Sequence, residues 1–191
     1  MVVLFKYNIQ IVSREEAILI DTRYIKDKTI VISINSPNEQ EYKFRNNNIV
    51  DVCYIHCDDL TEKEFNKAKD YYSKEKREIA LFNTDMAKQI KDFVDKYKDI
   101  HNIIVHCAMG VSRSGAVGVV LSKYLNNNRD LYLYKTGIIL PNETVYKVMC
   151  EVFGIKFDIK ELEYKKKIVS KVLDDKYGDW FTECGLVLPK E

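Results

Sequence analysis

Glycine and proline are scarce in this chain, at 7 and 3 of 191 residues. That excludes collagen-like and low-complexity architectures, which need far more of both. No apolar run approaches the ~20 residues of a membrane-spanning helix, so no membrane partner is expected. The opening Met1–Tyr7, with a single Lys, is too short to be read as a signal peptide. Charge of one sign is also missing, because 30 Lys+Arg meet 29 Asp+Glu and leave a formal +1. Domains held to nucleic acid by phosphate attraction are usually strongly basic, so no nucleic-acid partner is expected either. The 5 cysteines are an odd number, scattered at 53, 57, 107, 150 and 184. They make a poor disulfide framework and point to a reducing cytoplasm. No Cys-x-x-Cys pair exists to organise Cys53, His56 and Cys57 into a metal site, so the expected metal count is none.

What is present suffices for a folded core. Apolar residues make up 46% and aromatics 12%, which argues against disorder. Nothing repeats and no linker-like stretch divides the chain, so residues 1–191 read as one domain. Ile30–Ile34 is short, β-branched and closed by a Ser36-Pro37-Asn38 turn, a buried-strand pattern. Asp51–Cys57 is strand-like and stops at Asp58-Asp59, and Ile103–Val105 is a third buried strand. Ser13 and Glu16 have capping-box spacing for a short helix through Ala17–Ile20. Thr61–Lys76 reads as a charged, solvated helix. Asn83 caps a better one, with Met86, Ile90, Phe93, Val94 and Tyr97 on one face. Ala116–Leu125 is a buried helix ending at the Asn triplet 126–128. After Pro141-Asn142, a helix carrying Val145, Val148, Met149 and Val152 stops at Gly154. Ile159, Leu162, Val169, Val172 and Leu173 then suggest an amphipathic helix. Helices separating at least three strands predict an α/β fold.

The most informative ten residues lie between the third strand and its helix: His106-Cys107-Ala108-Met109-Gly110-Val111-Ser112-Arg113-Ser114-Gly115. Cys followed six positions later by Arg is weak evidence alone. Here, however, the Cys closes an apolar strand, a Gly lies midway, and Arg-Ser opens a helix. Such a strand–loop–helix builds an anion cradle at the carboxyl end of a strand, where ligands of α/β sheets gather. Loop N–H groups and the free N–H groups of the helix start converge on one point. Gly110 permits the dihedrals that wrapping an anion demands. Arg113 offers a planar fork for two phosphate oxygens. The same field should lower the Cys107 pKa and make it a nucleophile, with Ser114 donating to the sulfur. His106 is read as bracing the loop through hydrogen bonds rather than transferring protons. Each residue also has a plainer reading: Cys107 as a small buried hydrophobe, Arg113 as an ion-pair partner, Gly110 as a turn glycine.

His-Cys-x5-Arg-Ser resembles the signature of the cysteine-dependent protein tyrosine phosphatase superfamily, and the chain looks like its small dual-specificity branch, including bacterial and phage members. The resemblance covers about residues 30–153, leaving 155–191 as a helical extension. It implies a central, mostly parallel sheet flanked by helices, no metal and no cofactor. It also implies a two-step reaction in which Cys107 takes the phosphoryl group and water then hydrolyses the phosphocysteine. Residues 108–113 would bind the phosphate, and Asn142 would support the loop, although it also reads as a simple helix cap. The family takes its general acid from an Asp after an earlier strand. Asp59 is preferred and Asp58 is its neighbour. The step of 48 positions from Asp59 to Cys107 is longer than usual, and Thr61–Leu81 looks like the insertion. Asp85 is the fallback acid, otherwise a favourable charge in a first helical turn. Phosphoinositide-directed relatives place Lys in the loop, whereas Ala108, Met109, Val111 and Ser112 are uncharged. The expected substrate is therefore a phosphorylated protein, at phosphotyrosine and also phosphoserine or phosphothreonine, or a small phosphate ester, taken by a monomer. The rival expectations are a catalytically weak phosphate-binding pseudophosphatase and an RNA 5′-triphosphatase. A disulfide between Cys57 and Cys107 is a further pairing seen in some relatives.

Overall fold

The computed structural model describes residues 6–74, 78–126 and 139–177. Its architecture grows from one strand. Thr29–Asn35 (β2) is buried at every position, as suits a β-branched run covered on both faces. Strand alternation sends Ile30, Ile32 and Ile34 to one side and Val31 to the other. Asn8–Ser13 (β1), Ile49–His56 (β3) and Asn102–Cys107 (β4) complete a four-stranded sheet in the order β1-β4-β2-β3. Every pairing is parallel, so the α/β expectation holds. The described helices are Arg14–Asp21 (α1), Glu62–Lys74 (α2), Thr84–Lys96 (α3), Arg113–Leu125 (α4), Glu143–Val152 (α5) and Ile159–Tyr177 (α6).

The two faces of the sheet are covered unequally. The larger core gathers Ile30, Ile32, Ile103 and Val105 with Ile90 and Val94 of α3, Val117 and Leu121 of α4, and Val145 and Met149 of α5. The smaller one joins Val31 and Ile104 to Ala17 of α1, with Phe44 and Val52 at its margin. Each fully buried aliphatic side chain is worth about 1.5–3 kcal/mol. Helix α4 is central, with every residue from Arg113 to Lys123 buried. A Cβ at Gly118 would meet the Ile11 side chain at 2.5 Å, so this glycine lets α4 lie close on β1. At its end, Asn126 accepts from the Tyr7 N–H at 3.0 Å and donates to the Tyr7 carbonyl at 2.9 Å.

The local signals act as read. Ser13 Oγ accepts from the Glu16 N–H, and Glu16 accepts from the Ser13 N–H, closing the capping box of α1. Asn83 caps α3 through the Asp85 and Met86 N–H groups. Strand β1 was not anticipated. It is an edge strand in which Ile9 alone is buried, so its apolar signal is one residue deep. Helix α6 buries Leu162 and Val169, and Glu161 accepts from Lys123 and Lys165 at 3.1 and 2.6 Å. The side chains of Val172 and Leu173, and the residues Trp180, Phe181 and Leu186–Leu188, lie outside the description. Among the described residues no helix is long and apolar enough to cross a membrane.

Candidate active site

The carboxyl ends of β2, β3 and β4 stand side by side, and the chain leaves them at Ser36, Cys57 and Cys107. Alternation along β4 sets the roles of the last two residues. Cys107 falls on the α4 side with the larger core. His106 falls on the opposite side, where its ring meets Phe44 at 5.9 Å between centroids. The imidazole is 1% exposed, and neither ring nitrogen finds a polar partner among the described residues. Burial first, and the Arg14 charge second, lower its pKa to about 4. The ring is therefore neutral and packed against Phe44, and the hydrogen bonds expected to brace the loop are not made among the described residues.

Three carbonyls of the 108–112 loop are held by donors from elsewhere in the chain. The Arg14 N–H donates to the Ala108 carbonyl at 3.2 Å, Leu140 to Val111 at 3.3 Å and Asn142 to Ser112 at 3.2 Å. The N–H groups of Met109, Gly110, Val111 and Ser112 have no acceptor among the described residues. Gly110 has φ +73, and a Cβ there would lie 2.5 Å from backbone atoms of Val12 and Ser13. Both the left-handed conformation and the close approach require glycine. Ser112 stands at the N-cap of α4 but makes no side-chain cap bond, so the helix start keeps its free donors and positive dipole end.

Beneath this loop, Cys107 Sγ and Ser114 Oγ lie 3.1 Å apart, a hydrogen bond in which either can donate. Cys107 is 2% exposed, so the sulfur sits on the floor of the loop and not on its rim. The Arg113 guanidinium is buried. Its Nη1 donates to the Cys57 carbonyl at 2.8 Å and reaches Ser36 Oγ at 3.4 Å. Its Nε has no hydrogen-bond partner among the described residues and lies 4.0 Å from Asp59 Oδ2.

The two adjacent aspartates part company. Asp58 is buried, and its Oδ2 accepts from the Ala80 N–H at 2.9 Å while its own N–H donates to the Ala80 carbonyl at 2.8 Å. It fastens the chain before α3. Asp59 turns to the loop, where Oδ1 accepts from Ser112 Oγ at 2.7 Å and from Asn142 Nδ2 at 2.9 Å. Asp85 is 93% exposed at the side chain and faces Lys88 at 3.9 Å, in the plain first-turn role. Of the residues expected from sequence, Ser112, Asn142 and Arg113 thus converge on Asp59, while Cys107 and Ser114 form a separate pair on the floor of the loop.

No family model matches the chain, and no curated protein matches it. It is similar to the solved structure of Tk-PTP in the active form, with 13% sequence identity, a TM-score of 0.40, and 85% of this chain and 88% of that chain covered.

Two participants escaped the sequence reading: Ser36 and the Cys57 carbonyl, which orient Arg113. Ser36 follows β2 and Cys57 follows β3, and nothing in either residue type marks it as a partner of Arg113. Cys57 itself is fully buried, and burial pushes its thiol up to about 12. It contributes a carbonyl to the site, and its sulfur stays protonated at neutral pH.

Proposed function

We propose that the chain is a cysteine-dependent phosphomonoesterase that works through a phosphocysteine. The observation that carries this reading is the loop 107–113, which combines a cysteine on its floor, unbonded N–H groups and a buried arginine with an orphaned Nε. A buried donor without a partner costs about 1–3 kcal/mol and calls for an explanation. An oxyanion delivered by the substrate supplies one.

In the proposed reaction the Cys107 thiolate attacks phosphorus, the S–P bond forms and the bond to the leaving oxygen breaks. Asp59 gives that oxygen its proton. The loop N–H groups and Arg113 hold the three phosphoryl oxygens, whose charge grows in the transition state. Water then attacks the phosphocysteine, Asp59 takes its proton, and the S–P bond breaks to release inorganic phosphate. Ser114 donates to the returning thiolate. The substrate class we favour is phosphotyrosine in proteins, with phosphoserine and phosphothreonine as further candidates, and the uncharged side chains of the loop support this over polyphosphorylated lipids.

The test is turnover of an aryl phosphate by the wild type and by Cys107→Ser. Loss of more than about a thousandfold, as nucleophile removal causes elsewhere, supports the reading, and retained turnover overturns it. Orthovanadate should inhibit competitively, and a chelator should leave the rate unchanged. The 2% exposure of Cys107 favours one competitor, a phosphate-binding module without turnover. A wild type that binds vanadate but hydrolyses no phosphate ester would establish that competitor.

A further inference from the structure

Ser112 and Asn142 share one carboxylate oxygen, and this sharing points to a role for both. Ser112 is the residue type that normally caps a helix, yet its hydroxyl leaves α4 uncapped and donates to Asp59 Oδ1 instead. Asn142 is buried and fixed at three points. Its Oδ1 accepts from the Val145 N–H at 3.1 Å, its own N–H donates to the Ser112 carbonyl at 3.2 Å, and its Nδ2 donates to Asp59 Oδ1 at 2.9 Å. The amide orientation is determined by these bonds. Flipping it would set a carbonyl against the carboxylate and an NH2 against the Val145 N–H.

We propose that Ser112 and Asn142 are positioning residues that fix which oxygen of Asp59 carries the proton. This rests on the reading of Asp59 as the general acid. A neutral carboxyl group has one oxygen that accepts and one that donates. With both donors aimed at Oδ1, the proton must reside on Oδ2. That oxygen lies 4.0 Å from Arg113 Nε, whose N–H makes no hydrogen bond among the described residues. A phosphate ester seated between them meets the arginine through a phosphoryl oxygen and the acid through its leaving oxygen. The loop that carries Asp59 is held on both sides, by Asp58 on Ala80 and by the Glu62 N–H on Thr144 Oγ1 at 2.8 Å, so the carboxyl group has little freedom to find this pose unaided.

The test compares phenyl phosphate, whose departing oxygen needs a proton, with dinitrophenyl phosphate, whose leaving group departs without one. The readout is the ratio of their kcat/KM values in Ser112→Ala, Ser112→Thr and Asn142→Ser, the last chosen because serine preserves the cap of α5. General acids supply about 10²–10⁴-fold, so misplacing one should raise the dinitrophenyl-to-phenyl ratio about tenfold in Ser112→Ala and Asn142→Ser. Ser112→Thr, which keeps the hydroxyl, should restore the wild-type ratio. Combining either damaging change with Asp59→Asn should raise the ratio no further than Asp59→Asn alone. An unchanged ratio in both variants, or additive effects on the Asp59→Asn background, overturns the proposal while leaving Asp59 as the acid. If Asp59→Asn itself leaves the ratio at the wild-type value, the acid assignment falls and this proposal falls with it.

Discussion

The loops that leave β3 and β4 end at the same place but are held by different means. The 107–113 loop is framed by its own strand and helix and held by backbone bonds from Arg14, Leu140 and Asn142. A strand delivers Cys107, Gly110 bends back against Val12 and Ser13, and the next residues begin a helix that is buried from Arg113 to Lys123. The 57–61 loop has no such local logic. Asp58 is held by Ala80, and Asp59 by Ser112 and Asn142, 53 and 83 positions away. A loop framed by strand, helix and backbone bonds keeps its shape through most side-chain changes. A loop encoded by distant partners is only as good as each of them, so single substitutions should act on the two loops in different ways.

The largest expected effect falls on the first loop. Arg113→Lys keeps the charge but loses the fork, and lysine cannot reproduce the bond to the Cys57 carbonyl together with a free Nε. We expect kcat/KM to fall about 10²–10³-fold, as when one oxyanion donor is removed, with vanadate inhibition weakened in parallel. Activity within a few-fold of wild type would show that the arginine is an ordinary buried cation.

The second loop offers a sharper contrast, because its two aspartates differ only in what they touch. Asp59→Asn should lower kcat/KM for phenyl phosphate about a hundredfold and abolish the alkaline limb of its pH profile. Asp58→Asn should leave that limb in place and lower stability by about 1–3 kcal/mol in urea unfolding, the cost of disturbing a buried hydrogen-bonded acceptor. Loss of the limb in the Asp58 variant would reverse the assignment.

On the side of the sheet away from Cys107, His106 predicts an acid sensitivity of known sign. Its folded pKa is depressed from 6.5 to about 4, so between those values the unfolded chain binds a proton that the folded chain does not. Stability should therefore fall as pH drops through that window, by up to about 3 kcal/mol, and lose nothing further from this group below it. Unfolding curves of the wild type and His106→Leu at several pH values should diverge there, and parallel curves would contradict the burial of a neutral ring. The smallest effect is assigned to Ser36→Ala. A contact of 3.4 Å to Arg113 is marginal, and kcat/KM should stay within about threefold of wild type.

The same contrast explains what the sequence made legible. The βα unit around Cys107, the caps at Ser13 and Asn83 and the apolar face of α3 each depend on neighbours a few residues apart, and pattern reading found them. Edge strand β1 escaped because only Ile9 is buried in it, while its partner β4 shows an unbroken apolar run. Asp58 and Asp59 could be named as a pair but their fates could not be derived, since Ala80 and Asn142 separate them only in three dimensions. Ser36 and the Cys57 carbonyl were invisible for the same reason. A backbone carbonyl at a strand end carries no side-chain signal.

The central claim is that the Cys107 sulfur, although it lies on the floor of its loop, carries the phosphoryl group during turnover. The most direct measurement is mass spectrometry of protein quenched in acid while an aryl phosphate is being consumed, followed by proteolysis. The prediction is one added phosphoryl group on the peptide containing Cys107, absent in Cys107→Ser and absent without substrate. Turnover with that peptide unmodified, or with the phosphoryl group on another residue, would contradict it.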